Sequence, residues 1–182
     1  MRTPLSVATW NVNGIRARGE QLLEWLARDQ PQVLALQELK AKPEQIPEAI
    51  LGLDSYWHLA HCAGAYSGVS LHLRKDICPE PPVAVHPQFD FETRIVTVTL
   101  GDTVLASVYV PNGGKDFEAK MRFLEGMQAY AAGVRAGGKR LILCGDLNVA
   151  RTERDVHPRA LEKPNAIGTR PEERALLETA LS

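Results

Sequence analysis

No run in this chain approaches the roughly 18–20 consecutive apolar residues of a membrane-spanning helix, so no membrane partner is expected. The opening stretch, "MRTPLSVATWNVNG", is too short and too interrupted in its apolar part for a secretory signal. Cysteine is scarce. Cys62, Cys78 and Cys144 are an odd number with no CxxC spacing, which argues against a disulfide framework or a zinc site and fits reduced thiols in the cytoplasm. An excess of either charge is also lacking. The formal net charge is −1, so no global basic field points to a polyanion, and any polyanion site has to be a local patch.

What is present is an ordinary globular composition. The 182 residues are 45% hydrophobic and 24% charged, enough for one domain over 1–182 with a sizeable core. Strand and helix signals alternate without a low-complexity linker or internal repeat. "LSVATW" (5–10) predicts a first strand. "EQLLEWLARD" (20–29) predicts a helix with Leu22, Leu23, Trp25 and Leu26 on one face, stopped by Pro31. "QVLALQ" (32–37) is a second buried strand, and Pro43 and Pro47 bracket a short helix around "EQIPEAIL". Strands are further expected at 56–61, 67–74, 93–100 and 103–110, the last two joined through Gly101-Asp102 as a two-residue hairpin connection.

Residues 116–135 then carry Phe117, Met121, Leu124, Met127, Ala131 and Val134 as a helical stripe ended by Gly137-Gly138. A strand, "LILC" (141–144), runs into Gly145, Asp146, Leu147 and Asn148, and a polar loop follows to about residue 168. In "TRPEERALLETALS", Thr169 and Glu172 have capping-box spacing, and Ala175, Leu176, Ala180 and Leu181 form the expected apolar face.

Several predicted strands end in polar groups: Asn11 and Asn13, Gln37 and Glu38, Tyr109 and Asn112, Asp146 and Asn148. Singly, each has a structural reading, since Asn and Asp favour turns. As a set at strand ends, where α/β proteins assemble ligand sites, they support a coherent chemistry. A carboxylate such as Glu38 with the amide oxygen of Asn11 suits a hard, oxygen-loving cation like magnesium. Asp146 and Asn148, two apart in an extended segment, are expected to project to one side, the acid to handle a water and the amide to reach a phosphate oxygen.

At these residues the chain resembles a known family. "TWNVNGIRAR", "LALQELK", "YSGVSL", "SVYVPNGG" and "GDLNVA" occur in the order seen in the exonuclease III type of AP endonuclease, and "RPEERALL" (170–177) resembles the segment that follows. That family belongs to the endonuclease/exonuclease/phosphatase superfamily. The resemblance implies a DNase I-like four-layer α/β sandwich, C-terminally incomplete in this chain. It also implies a DNA-repair nuclease using Mg2+, with Mn2+ able to substitute. The substrate would be double-stranded DNA with abasic sites or 3′ ends, through AP endonuclease, 3′-5′ exonuclease and 3′-phosphatase activities.

Carried over by motif, Asn11 and Glu38 would hold the metal with Asn13 beside it. Tyr109, Asp146 and Asn148 would be catalytic, Asp146 handling the attacking water and Asn148 steadying the transition state. Arg16, Lys40, Tyr66 and Asn112 would meet phosphate or DNA. "ETRIV" stands where a Glu-Gly-Arg is common, so Glu92 and Arg94 are kept and Thr93 replaces the Gly.

The departure lies at the end of the chain. Family members continue for roughly another third of their length, with a Trp-rich DNA-facing segment and a Ser-Asp-His motif. This chain has no Ser-Asp-His, and its tryptophans all lie at or before Trp57. A truncated product or fragment is therefore expected, with an exposed inner sheet face and self-association through it. The alternatives are another superfamily phosphoesterase, acting on phosphoinositides, sphingomyelin or RNA, and an inactive fragment that binds DNA or a partner.

Overall fold

The computed structural model describes residues 4–162 and 166–181. Residues 163–165 of the expected polar loop, residues 1–3 and Ser182 lie outside the described residues. The chain forms two compact units, the first of residues 1–109 and 142–146, the second of 110–141 and 147–182.

In the first unit, β1 (Val7–Asn11) and β2 (Val33–Gln37) run parallel, joined by α1 (Ile15–Asp29). α1 begins five residues before the predicted helix, so "IRARG" supplies its first turns rather than a loop. Its buried face is Ile15, Gly19, Leu22 and Leu26, with Leu23 and Trp25 partly buried. Gly19 faces Pro47, and a Cβ there would make ordinary contact with the proline ring at 3.5 Å. A 3-10 turn (Pro43–Gln45) and α2 (Glu48–Leu51) follow β2. β3 (Tyr56–His61) and β4 (Val69–Arg74) form an antiparallel pair, and β4 also pairs with β2, giving the order β1-β2-β4-β3.

β5 (Ile95–Leu100) and β6 (Thr103–Tyr109) form the predicted hairpin, with Leu100 opposite Thr103. Gly101 supplies the positive φ of 57° at the first turn position, which a side chain resists. β7 (Arg140–Asp146) joins β6, giving a second sheet in the order β5-β6-β7.

The two sheets pack face to face. Val33, Ala35, Val69, Leu71 and Leu73 of the first sheet share a buried cluster with Val96, Val98 and Leu105 of the second. The other face of the first sheet is covered by α1 and α2, through Ile15, Leu22, Leu26, Ile50, Leu34 and Leu36. The expectation of a bare inner sheet face is therefore corrected. β5, β6 and β7 cover it, since alternate residues of each strand point inward, and the argument for self-association through that face falls with it.

A polar relay crosses this core. The buried Gln37 amide donates to Ser107 Oγ (3.1 Å) and accepts from Thr9 Oγ1 (3.2 Å), while Ser107 Oγ donates to the Leu36 carbonyl (3.0 Å). Gln37 thus ties the sheets together instead of joining the strand-end polar set with Glu38.

A second buried polar group sits on the helical side. His72 Nδ1 meets His58 Nδ1 at 2.7 Å and its Nε2 meets Ser70 Oγ at 2.8 Å. Burial, with the His58 charge second, pushes His72 down to about 3. The unfolded chain therefore binds this proton first as pH falls below about 6.5, and the native state loses stability from there downward. Taken alone, His72 is expected to cost about 2 kcal/mol between pH 7.5 and pH 5. Urea unfolding at both pH values, beside His72→Asn, should show that loss shrinking in the variant. An unchanged difference would remove His72 as its source.

The second unit contains α3 (Phe117–Ala136), a 3-10 turn (Glu153–Asp155), α4 (Pro158–Leu161) and α5 (Pro171–Leu181). The Asp116 side chain accepts the Ala119 N–H and caps α3. The buried face of α3 is Lys120, Phe123, Leu124, Met127 and Ala131: Leu124, Met127 and Ala131 of the predicted stripe are in it, Phe117, Met121 and Val134 are half-buried, and Lys120 and Phe123 join it. Phe117 instead lies under the Arg170 guanidinium, 4.0 Å from the ring centroid. On α5 the buried residues are Glu173, Leu177 and Ala180, while Ala175 and Leu181 are exposed. The Thr169 hydroxyl donates to the Ala166 carbonyl (2.7 Å). Among the described residues, no helix is long and apolar enough to cross a membrane.

Candidate active site

Parallel pairing places Asn11 opposite Gln37, so β1 and β2 deliver Asn11 and Glu38 at one end of the first sheet. The chain beyond β2 is turned by left-handed backbone at Glu38 (φ 54°) and Lys40 (φ 48°). Neighbouring loops hold that conformation: the Gly14 N–H donates to the Glu38 carbonyl (2.7 Å), and the Leu39 and Lys40 N–H groups donate to the carbonyls of Gly68 (3.0 Å) and Ser67 (3.1 Å). Non-glycine residues in this region store about 1–3 kcal/mol each and persist where surrounding contacts over-determine them.

The Asn11 side-chain amide donates both to Glu38 Oε1 (2.8 Å) and to Asp146 Oδ2 (2.8 Å). Two carboxylates from separate sheets are thereby fixed on one amide nitrogen. Asn11 Oδ1 accepts the Asn13 N–H (3.0 Å), which settles the orientation of the amide. The Tyr109 hydroxyl bonds to Glu38, and Lys40 Nζ pairs with Glu38 Oε2 at 2.6 Å while donating to Asn13 Oδ1.

The electrostatics follow from these contacts. Burial acts to raise the Glu38 carboxyl, but hydrogen bonds from Asn11, Lys40 and Tyr109 and the Lys40 charge outweigh it and hold it below the usual carboxylate range. Glu38 therefore stabilises the fold above its ordinary value near 4.5, and that contribution is lost as pH falls through its lowered one. Tyr109 is pushed up to about 12 by burial and then by the Glu38 charge, so at neutral pH it is a phenol that donates. The Arg94 guanidinium lies 4.8 Å from the centre of its ring.

Arg94 is held in turn. Its side chain pairs with Glu92 (2.7 Å), and its N–H donates to both carboxylate oxygens of Asp90 (3.0 and 2.9 Å). Thr93 between them adopts φ 54°, a conformation that glycine takes freely and Thr does not. The Ser67 hydroxyl donates to the Glu92 carbonyl (2.5 Å), and the Gly68 N–H to that of Thr93 (3.2 Å), which fixes the turn.

The second unit carries the other two asparagines. Asn112 Oδ1 accepts the Gly114 N–H (2.9 Å). Asn148 has left-handed backbone (φ 47°) and donates its side-chain amide to the Val110 carbonyl (2.8 Å). The expectation that Asp146 and Asn148 share a strand's two-residue period is thus corrected. β7 ends at Asp146, and Asn148 is placed by its own turn. Gly168 (φ 77°) closes on that turn: a Cβ there would lie 2.5 Å from the Asn148 carbonyl oxygen. Arg16 is exposed on the first turn of α1, and Tyr66 is 77% exposed beside Ser67.

Two groups escaped sequence reasoning. Asp90 anchors three backbone N–H groups, those of Glu92, Arg94 and Ile95, yet stands between the predicted strands at 67–74 and 93–100, where no motif marks it. Lys120, in a helix interior, gave no signal beyond its break in the apolar stripe.

The donor set suits a hard cation. Glu38 already binds the ammonium of Lys40 through one oxygen, so positive charge is favoured there. Among the described residues, no group of three or more His, Cys, Asp or Glu is placed to hold a metal. The two carboxylates fit an ion that keeps waters and takes further ligands from a phosphate, while the Asn11 amide shows them its N–H and keeps its oxygen on the Asn13 N–H.

Two sheets packed face to face, with the Glu38 and Asp146 carboxylates, the Asn11 amide and the Tyr109 phenol gathered at their ends, make an α/β sandwich with a polar site at one edge. Residues 8–174 match the Endonuclease/Exonuclease/phosphatase family, and the chain belongs to it. It is 33% identical over 184 residues to DNA repair nuclease APEX1 of Danio rerio, covering 93% of this chain and 57% of that protein. It is 30% identical over 171 residues to an exodeoxyribonuclease of Bacillus subtilis (strain 168), covering 89% and 66%. The solved structure of an AP endonuclease from Archaeoglobus fulgidus superposes with a TM-score of 0.83 at 26% identity, over 98% of this chain and 70% of that one. These relatives place the chain in the exonuclease III and AP endonuclease branch, and it spans less than two thirds of the length of these two curated relatives.

Proposed function

We propose that the chain is a Mg2+-dependent DNA-repair phosphodiesterase acting on duplex DNA at abasic sites and 3′ ends. The observation that carries this reading is the Asn11 amide held between the carboxylates of Glu38 and Asp146, with the Tyr109 phenol on the same Glu38. Glu38 would hold the metal, and Asn11 would join it once its amide turns its oxygen from the Asn13 N–H toward the ion, with Asn13 beside them. When bound, the ion neutralises the negative charge that builds on the phosphate during attack.

The chain's own groups would do the rest. Asp146 orients a water and takes its proton, and Asn11 keeps that carboxylate aimed. Tyr109, protonated at neutral pH, donates to a phosphate oxygen once Glu38 is otherwise engaged. By the family resemblance alone, Asn112 and Asn148 would donate amide hydrogens to phosphate oxygens. Arg16, Lys40 and Tyr66 would meet the DNA, and the free thiols of Cys62, Cys78 and Cys144 fit a cytoplasmic setting.

The test is incision of a duplex carrying one abasic-site analogue, with Mg2+ and with chelator, beside Glu38→Gln. Mg2+-dependent incision, reduced about 100-fold or more in the variant, is expected. A folded chain that binds the duplex and leaves it intact under every condition would sink the enzymatic reading in favour of a DNA-binding role.

A further inference from the structure

Lys120 on α3 is fully buried. A buried ammonium is costly unless paired and hydrogen-bonded, so its partners show what it is placed to hold. Its Nζ pairs with the carboxylate of Glu173 on α5, which is 1% exposed. It also donates to the carbonyl of Asn148 at 2.7 Å and to that of Asn112 at 3.4 Å. The stem passes close beneath "NGG": a Cβ on Gly113 (φ 77°) would lie 2.8 Å from Lys120 Cδ.

From these contacts we infer that Lys120, with Glu173 as its counter-charge, is a positioning residue for both asparagines through their main-chain carbonyls. Asn112 and Asn148 stand 36 residues apart in a turn after β6 and a turn after β7, and Asn148 is in strained left-handed backbone. One ammonium with three donors can reach two such carbonyls and a carboxylate together, which neither a methionine nor a leucine can. A core that needed only packing would be served as well by an apolar pair. The catalytic side of this inference rests on the proposed function, because the asparagines matter to a reaction only if they meet phosphate. The positioning itself does not.

The experiment is amide hydrogen exchange on the isotopically labelled chain. Two reporters read the tethered turns: the Ala150 amide, bonded to the Gly168 carbonyl, and the Gly114 amide, bonded to Asn112 Oδ1. Two controls, the Leu124 and Leu177 amides, read α3 and α5. Lys120→Met leaves a buried carboxylate unpaired and is prone to unfold, so the decisive variant is Lys120→Met/Glu173→Leu, which removes both charges.

In that variant Ala150 and Gly114 are expected to exchange about 10-fold faster or more, with the controls within about 3-fold. Lys120→Arg should recover most of the protection. Unchanged reporters overturn the inference, as does a variant in which reporters and controls accelerate together. Where incision is measurable, the double variant should lower kcat with KM nearly kept. If Asn148→Ala leaves incision intact while the reporters still respond, the assigned role of Asn148 in the nuclease reading fails and the positioning stands.

Discussion

Asp146→Asn is expected to lower Mg2+-dependent incision by about 10³-fold or more while leaving the fold and DNA affinity nearly unchanged. The substitution keeps shape and an acceptor oxygen, so the Asn11 side chain can still donate to it as it now does at 2.8 Å. What disappears is a basic oxygen able to take a proton from water, together with a negative charge beside the Glu38 cluster. General-base assistance is ordinarily worth about 10²–10⁴, and loss of the local charge adds to that. The measurement is single-turnover cleavage with saturating enzyme, alongside melting curves. A loss under 10-fold with an unchanged melting temperature would move the water-handling role to another group.

Gly145→Ala is the largest expected effect on stability. Gly145 sits in β7 at φ 148°, and a Cβ there would stand 1.9 Å from the Val108 carbonyl oxygen and 2.9 Å from its carbon. These are main-chain atoms of the paired strand β6, so no rotamer change relieves the clash. β7 has to move away from β6 or the backbone has to twist, and either costs about 3 kcal/mol or more. The same shift pulls Asp146, the next residue, off Asn11. Chemical denaturation should show the loss of stability, and residual incision in any folded fraction should fall with it. A variant within about 1 kcal/mol of wild type would mean that β7 slides without consequence.

These two neighbours show why the "CGDLN" stretch reads as it does. Gly145 lets two backbones approach, and Asp146 is the first residue beyond that contact. The glycine therefore serves the acid's placement more than any turn of its own. Asn148 belongs to a different arrangement, held by the Val110 carbonyl, by Lys120 and by the close approach of Gly168.

Much of this was legible in the chain itself. Apolar runs of four to eight residues with β-branched members marked the strands, and a two-residue Gly-Asp connection marked the β5–β6 hairpin, because those signals are local. The order of the polar motifs pointed to the family that residues 8–174 match. Element edges were less secure. α1 starts at Ile15 because Gly14 and the loop after β2 hydrogen-bond there, a contact that spacing along the chain does not reveal. The buried faces of α3 and α5 keep Leu124, Met127, Ala131 and Ala180 of the predicted ones and add residues that the apolar pattern did not mark. Lys120 and Glu173 neutralise each other, so two charged residues occupy interior positions that a hydrophobicity pattern assigns to the surface.

The sequence by itself determined which residue types stand at the strand ends, and hence the class of chemistry they could support. Only the tertiary structure decided which of them meet. Asn11 reaches Glu38 across 27 residues and Asp146 across 135. Such contacts depend on sheet register and on the packing of one sheet against another, and neither is encoded in the spacing of a motif. The same physics separated Gln37 from Glu38. β2 ends at Gln37, whose amide lies in the core between the sheets, and left-handed backbone at Glu38 turns the next carboxylate to Asn11 and Lys40.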